Sequence, residues 1–174
     1  MEEKALYGNG IVYLKFINET ELKKLEDVKA SSVHCFPIKD DDILLTVNHR
    51  GVDIIGGHIE KGELPEMALR RECMEEACIL PIEYKLIGAI QVDNRDFPEA
   101  IEKGYPLIGY QLFYAVTKFD TYKFEAHHEC TDRVYINHKE LKNEHHSWLN
   151  VHDQLIDEVQ KHMKKKTSYK FKNY

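Results

Sequence analysis

The chain has 174 residues, a hydrophobic fraction of 43%, a charged fraction of 31% and a formal net charge of −6. A chain of this length suits one domain and can bury a core, so folding requires no disulfide or structural metal. The negative charge excludes a general attraction to nucleic acid or to anionic membranes. No apolar run approaches the roughly 20 residues that span a bilayer, so we expect no membrane association.

The N-terminus and the cysteines indicate the compartment. Residues 1–4 are acidic and lack the apolar stretch of a signal peptide. No CxxC pair occurs, which argues against a zinc ribbon or a redox motif. The cysteines are Cys35, Cys73, Cys78 and Cys130. We therefore predict a cytoplasmic protein with reduced thiols.

The predicted elements mix strands and helices. In chain order they are a strand over residues 10–17, a short helix over 19–27, a hairpin of strands 33–38 and 43–47, a glycine-rich loop over 56–62, a helix over 65–77, strands over 84–92, 107–119 and 133–137, and a helix over 151–163. Pro65 suits the first turn of its helix. This order predicts an α/β (α+β) domain of packed layers.

Three glutamates crowd one side of the predicted helix over 65–77. Glu72, Glu75 and Glu76 are spaced i, i+3 and i+4, so their carboxylates lie close together and repel each other. Mg²⁺ or Mn²⁺, which prefer hard oxygen ligands, would offset that repulsion. The alternative is a solvated acidic face, but a helical wheel places Glu76 on the apolar stripe. A carboxylate there needs a partner, either a cation or an arginine.

A glycine-rich loop leads into this helix. Gly56 and Gly57 permit backbone conformations that are closed to other residues, and they let a ligand approach closely. The helix N-terminus that follows favours anionic groups. We therefore take Gly57, His58 and Glu60 as candidate substrate-binding residues, with an ordinary loop side chain as the alternative for His58.

One segment resembles the Nudix box, G-x5-E-x7-R-E-U-x-E-E-x-G-U, in which U is an apolar residue; it is GGHIEKGELPEMALRRECMEEACI, residues 56–79. The matching positions are Gly57, Glu63, Arg71, Glu72, Cys73, Glu75, Glu76 and Ile79. Cys78 departs from the box, because the family has a glycine there that ends the helix in a left-handed conformation. A side chain at this position costs roughly 1 kcal/mol, or the helix ends differently. Ile55 likewise replaces a proline that often precedes the two glycines.

The resemblance implies a Nudix-type α/β/α sandwich around a mixed β-sheet and a metal-dependent pyrophosphohydrolase. In the family, helix glutamates and a loop carbonyl hold divalent ions. The resemblance therefore makes Glu72, Glu75, Glu76 and the carbonyl of Gly56 the ligands of Mg²⁺ or Mn²⁺. Metal-activated water would attack phosphorus in the diphosphate linkage of a nucleoside diphosphate derivative.

The resemblance also implies supporting catalytic roles. Arg71 would orient the carboxylates, by pairing with Glu63. The general base varies within the family and is either one of the box glutamates or a downstream acid. Glu129 is the first downstream candidate and Glu125 is the second, and an ordinary surface acid is the alternative for both.

Residues 1–174 are interpreted as one domain, in which residues 1–30 carry no family signal and residues 164–174 form a basic tail. Lysines suit a solvated helix end, so nucleic acid is not the expected partner. The expected partner is a small-molecule nucleotide or nucleoside diphosphate derivative. A homodimer is possible, since the sequence does not determine the oligomeric state. Two alternatives are a non-catalytic Nudix-like nucleotide sensor or interaction domain, and an RNA-binding module that keeps the box as a relic.

Histidines and aromatic residues outside the box allow further interpretations. The pairs at 127–128 and 145–146, with Cys130, invite a zinc site, but their spacing matches no standard zinc signature, and exposed loop histidines are preferred. Four aromatic residues either stack on a nucleobase or, as preferred for most of them, pack in the core. They are Tyr105, Tyr110, Tyr114 and Trp148.

Overall fold

A mixed β-sheet forms the centre of the structure, a computed structural model that describes residues 2–126 and 129–170, with side chains as far as residue 163. The strands are β1 (Glu2–Tyr7), β2 (Gly10–Asn18), β3 (Ala30–Lys39), β4 (Asp42–Asn48), β5 (Gly51–Asp53), β6 (Ile55–His58), β7 (Ile79–Asp96), β8 (Ile108–Thr121) and β9 (Cys130–Asn137). The helices are α1 (Glu19–Leu22), α2 (Pro65–Ala77), α3 (Pro98–Glu102), α4 (Leu141–Glu144) and α5 (Asn150–Lys170).

The strands follow the order β1-β2-β7-β8-β3-β4-β5, with β6 paired to β3 and β9 paired to β4. β3 and β8 run parallel, from the pair Ala30 and Tyr110 to the pair Pro37 and Val116. The neighbouring pair β7 and β8 is antiparallel. The sheet is therefore mixed, as predicted. Among the described helices, none combines the length and the apolar character needed to cross a membrane.

The two faces of the sheet carry separate clusters of buried side chains. Because successive side chains of a strand point to opposite faces, Phe36 and Phe113 face α5, whereas Val33 and Leu112 face α2. The first cluster contains Leu155, Ile156, Val159 and Met163 of α5. The second contains Ala68, Leu69, Cys73 and Ala77 of α2. Helices on both faces of a mixed sheet confirm the predicted α/β/α sandwich.

The helix predicted over residues 19–27 forms only one turn, α1. Asn18 and Glu21 form a reciprocal capping box at its start, in which each side chain accepts a hydrogen bond from the backbone N–H of the other residue. Leu22 is buried, but Leu25 in the next turn is 39% exposed. A second turn would therefore bury little apolar surface, and the chain leaves the helix.

Cys78 ends α2 in the left-handed conformation that glycine adopts in the family, with φ 49° and ψ 48°. Arg133 of β9 supplies hydrogen-bond donors to the carbonyl groups at this helix end. Its guanidinium donates to the carbonyl oxygens of Ala77 and Cys78, and also to that of Tyr122 at 2.9 Å. A charged donor from a distant strand thus stabilises a helix end that lacks the usual glycine.

We expect the Arg133→Ala variant to lose about 2 kcal/mol of its free energy of unfolding, because carbonyl groups at the helix end lose a charged donor. Urea denaturation at constant pH measures this change. Lys118→Ala is the control, since Lys118 forms a solvent-exposed ion pair with Glu83 on the sheet and should change stability by less than about 0.5 kcal/mol. Equal stabilities of the two variants would show that Arg133 does not hold the helix end.

Candidate active site

The box residues face a cleft of about 1500 Å³ that is large enough for a nucleotide derivative. The cleft brings together the candidate residues Gly56, Gly57, His58, Glu60, Arg71, Glu72, Glu75, Glu76 and Glu129. Glu125 lies instead beside the end of α2, where its backbone carbonyl accepts a hydrogen bond from the Cys78 thiol. The location of Glu129 in the cleft favours it over Glu125 as the downstream acid.

Arg71 connects the glycine-rich loop to the glutamates of α2. Its Nε and Nη2 atoms donate to the two carboxylate oxygens of Glu63 at 3.0 and 2.9 Å, a bidentate pair. Its Nη1 atom donates to Glu72 at 2.7 Å and to Glu75 at 3.3 Å. Its Nη2 atom also donates to the carbonyl oxygen of His58 at 2.9 Å. Arg71 therefore fixes two of the three box carboxylates relative to the loop.

Gly56, Gly57 and His58 belong to β6, so the glycine-rich loop predicted over residues 56–62 begins only after His58. Glu72 packs against the backbone of this strand. Glu72 is only 9% exposed. A Cβ atom built on Gly57 would lie 2.4 Å from the Oε1 atom of Glu72. The absence of a side chain at Gly57 is thus what admits the carboxylate to this position. Burial raises the pKa of Glu72, although the hydrogen bond from Arg71 opposes this shift.

Glu76 is a partly buried carboxyl group whose partner is a backbone amide. The N–H of Gly56 donates to its Oε2 atom at 2.9 Å. Burial raises the pKa of Glu76 to about 7; the bond from Gly56 lowers it, and the nearby charges of Glu72, Asp53 and Glu129 raise it. Among the described residues, no arginine donates a hydrogen bond to Glu76. Glu72 and Glu75, in contrast, each accept a hydrogen bond from Arg71.

The donor set of the cleft fits a hard divalent cation. Burial raises the pKa values of Glu72 and Glu76; the nearby charges of Glu75 and Glu63 raise that of Glu72 further, and the charge of Glu72 raises that of Glu76. A cation held between such carboxylates stabilises their charged forms, and carboxylate oxygens are the ligands that Mg²⁺ and Mn²⁺ prefer. Arg71 compensates part of this negative charge but makes no hydrogen bond to Glu76.

Glu76 should make the stability of the metal-free protein depend on pH near neutrality. A carboxyl group with a folded pKa of about 7, above the ordinary value of 4.5, keeps a proton that the unfolded chain has lost. Its contribution to stability is therefore present at low pH and lost as the pH rises through 7. Between pH 6.5 and 8 in EDTA, we expect the free energy of unfolding to fall by about 1 kcal/mol relative to Glu76→Gln.

The comparison with Glu76→Gln isolates this carboxyl group from other titrating groups. Burial lowers the pKa values of His34 and His152 to about 4, and both histidines contribute equally in the two proteins. Urea denaturation at each pH gives the difference between the two free energies. A difference that stays constant over this range would contradict the raised pKa of Glu76.

Asp53 forms a second polar centre in the same cleft, which the sequence did not reveal. Its carboxylate accepts five hydrogen bonds, from the side chains of Asn48, Arg50, His145 and His146 and from the backbone N–H of Ile54. Burial alone would raise the pKa of Asp53, but the hydrogen bond from His145 and the nearby histidines bring it well below its usual value. No local signal could have found this contact, because His145 is 92 residues away in the chain.

The other histidine and aromatic candidates have different positions. His127 and His128 lie outside the described residues, as do the side chains of the basic tail over residues 164–174. Tyr110 and Tyr114 are buried in the core, at 7% and 3% exposure. Trp148 donates its indole N–H to Asp153. Tyr105, in contrast, lines the cleft, and its hydroxyl lies 3.2 Å from Nε2 of His58.

Solved structures with a similar fold include the Bacillus subtilis pyrophosphohydrolase BsRppH, in its E68A mutant form. It is 20% identical, the match covers 86% of this chain and 80% of that chain, and the TM-score is 0.56. A MutT NUDIX hydrolase from Burkholderia pseudomallei is 16% identical, with 76% and 99% covered and a TM-score of 0.57. An ADP compounds hydrolase is 13% identical, with 95% and 93% covered and a TM-score of 0.57. At these identities the likeness shows the fold alone.

A comparison with family models identifies the family directly. The model described as the NUDIX domain matches residues 28–166, which include the loop, α2 and the rest of the cleft-forming sheet from β3 to β9. No curated protein sequence matches the chain significantly. Since the matched residues make up most of the chain and contain the arginine and glutamates described above, the protein belongs to the NUDIX domain family.

Proposed function

We propose that the protein is a metal-dependent pyrophosphohydrolase that cleaves a diphosphate linkage in a nucleotide or nucleoside diphosphate derivative. The proposal rests mainly on two carboxylates that face one cleft, the buried Glu72, which packs against Gly57, and the partly buried Glu76. Family membership supports hydrolysis. Two proteins with a similar fold are described as a pyrophosphohydrolase and as an ADP compounds hydrolase, which supports this linkage.

In this proposal Glu72, Glu75, Glu76 and the carbonyl of Gly56 hold Mg²⁺ or Mn²⁺. The ion, when bound, supplies positive charge to the phosphoryl oxygens and to the attacking water. Arg71 keeps Glu72 and Glu75 in place, so little reorganisation is needed when a substrate arrives. Gly56 orients Glu76 in the same way through its backbone N–H.

The attacking water must lose a proton to a carboxylate of the cleft. Glu129 is our first candidate for this general base, because it lines the cleft and its charge acts on Glu76. A box glutamate is the alternative. Gly57, His58 and Glu60 line the cleft on the side of the loop, where we propose that they contact the substrate.

We also propose that residues 1–174 work as one domain. The segment before the family match contributes β1 and β2, and β2 pairs with β7 along the edge of the central sheet. Lys4 to Asn9 line part of the same cleft, so this segment is in a position to touch the substrate. A cytoplasmic location and the possible homodimer stay predictions.

The deciding experiment is a substrate panel with Mg²⁺ or Mn²⁺. It contains nucleoside triphosphates, dinucleoside polyphosphates, ADP-ribose, and capped or triphosphorylated RNA, and chromatography identifies the products. We expect hydrolysis of at least one diphosphate linkage, and a rate at least about 100-fold lower for the Glu76→Gln protein purified in parallel. No hydrolysis at high enzyme concentration with either metal would overturn the proposal. Nucleotide binding by calorimetry without turnover would instead favour the sensor alternative.

A further inference from the structure

We propose that Arg50, held by Asp53, binds the terminal phosphoryl group of the substrate and thereby selects substrates that end in a free phosphate. This inference rests on the proposed function and adds a specificity-determining residue in the cleft that contains the glutamates. Arg50 follows β4, Asp53 ends β5, and both line the cleft that contains Glu72 and Glu76.

Asp53, His145 and His146 bring ligand atoms within 4.8 Å of one another, which suggests a metal site at first. Their hydrogen bonds oppose that interpretation. The backbone N–H of Ser147 donates to Nδ1 of His145, so the ring proton lies on Nε2, the atom that faces Asp53. A protonated nitrogen cannot bind a metal ion.

Hydrogen bonds also occupy all the lone pairs of the Asp53 carboxylate. It accepts five hydrogen bonds at 2.9 to 3.3 Å, whereas a carboxylate offers about four lone-pair sites. No lone pair is left for a cation. The arrangement is therefore a scaffold that fixes the side chains around Asp53, and its function lies in what those side chains present to the cleft.

In the part of the chain that the structure describes, the guanidinium of Arg50 bonds only to Asp53, which leaves most of its donors for a ligand. One Nη2 contact at 3.0 Å connects it to Asp53, and its side chain is 52% exposed. Its backbone N–H donates to Asn48, which fixes the base of the side chain as well. Arg71 also lines the cleft, but its guanidinium already donates hydrogen bonds to Glu63, Glu72, Glu75 and the carbonyl of His58.

The charge pattern of the cleft indicates what Arg50 binds. Glu60, Glu72, Glu75, Glu76 and Glu129 give the lining of the cleft a strong negative charge. A polyanionic substrate therefore needs cationic side chains in the cleft, and the lining offers Lys4 and Lys103 besides Arg50. A guanidinium recognises phosphate oxygens with paired N–H groups, and a terminal phosphoryl group offers three acceptor oxygens and more charge than a phosphate esterified on both sides. Arg50 therefore favours a nucleoside triphosphate over a doubly esterified diphosphate.

Calorimetry with two non-hydrolysable ligands in Mg²⁺ tests this inference. They are the ATP analogue with methylene groups in place of both bridging oxygens (α,β and β,γ), which has a terminal phosphate, and α,β-methylene-ADP-ribose, which has none. We expect Arg50→Ala to weaken binding of the ATP analogue about tenfold or more, and of the ADP-ribose analogue much less. Asp53→Asn should weaken the ATP analogue in the same direction, because it loosens Arg50. Unfolding midpoints confirm that both variants fold.

Arg95→Ala is the matched control. Arg95 has similar exposure, 49%, and is likewise paired with an aspartate, Asp93, but it does not belong to the lining of the cleft. Unchanged binding of the ATP analogue by Arg50→Ala, or equal weakening of both analogues, would overturn the inference while the hydrolase proposal stands. Failure of the wild type to bind either analogue would also overturn it, and failure in the substrate panel as well would remove the proposed function itself.

Discussion

Replacing Glu76 with glutamine should lower kcat at least about 100-fold on the substrate that the panel identifies, as expected for loss of a catalytic metal. The side chain is partly buried, its partner is the N–H of Gly56, and no arginine neutralises it. An amide of the same shape keeps the packing but removes the negative charge that holds the ion. Glu75→Gln should act in the same direction, since Glu75 belongs to the same cleft.

The control for this experiment lies on the same helix. Glu66 is an exposed acid in the first turn of α2 and is not part of the lining of the cleft. Glu66→Gln changes the net charge by the same amount and should leave kcat near the wild-type value. Steady-state kinetics at saturating Mg²⁺ and Mn²⁺ gives the comparison. Equal rates for Glu76→Gln and Glu66→Gln would mean that the catalytic site lies elsewhere.

Gly57→Ala should lower kcat on the order of 100-fold through a different cause, a direct collision with the carboxylate of Glu72. The new Cβ atom would lie 2.4 Å from Oε1 and 2.6 Å from Cδ of that carboxylate. The carboxylate of Glu72 must shift, and the same oxygen accepts the 2.7 Å hydrogen bond from Arg71. A displacement of about 1 Å at a reacting site costs on the order of 100-fold in rate, and overpacking costs about 1–3 kcal/mol in stability.

Gly62→Ala is the control that separates the effect of the collision with Glu72 from the effect of backbone strain. Gly62 lies in the loop that follows β6 and has φ 85°, but its added Cβ atom would meet nothing within 4 Å. Alanine there should cost about 1 kcal/mol of stability and leave kcat close to the wild type. Rates and urea denaturation are measured for both variants. A Gly57→Ala enzyme that matches Gly62→Ala in kcat would show that the position of Glu72 does not matter for the reaction.

The sequence predicts most accurately the features that arise from neighbouring residues. The bounds of α2 agree with the prediction, because Pro65 starts the helix and the periodicity of its apolar residues extends to Ala77. The spacing of Glu72, Glu75 and Glu76 likewise places them in one cleft. Helical geometry fixes these relations within a few residues, so no knowledge of the rest of the fold is needed.

Contacts between distant segments could not be predicted in this way. Arg133 reaches the end of α2 across 56 residues, and Asp53 meets His145 and His146 at the end of α4. Neither pair shows any spacing pattern, because β-strand pairing and helix packing bring the partners together. The unusual residue at Cys78 indicated that the helix end needed another solution, but nothing in the sequence pointed to Arg133.

Arg133 also has a consequence for the segment between β8 and β9. The first residue of that segment, Tyr122, donates its N–H to the Cys78 carbonyl, and its own carbonyl accepts from Arg133. The start of the segment and the strand that follows it are therefore both bonded to the end of the helix that carries the glutamates. Doubling the length of a flexible loop costs only about 0.6 kcal/mol in closure entropy. Because Glu129 at the end of this segment lines the cleft, insertions here can change the lining during evolution while the carboxylates of α2 keep their places.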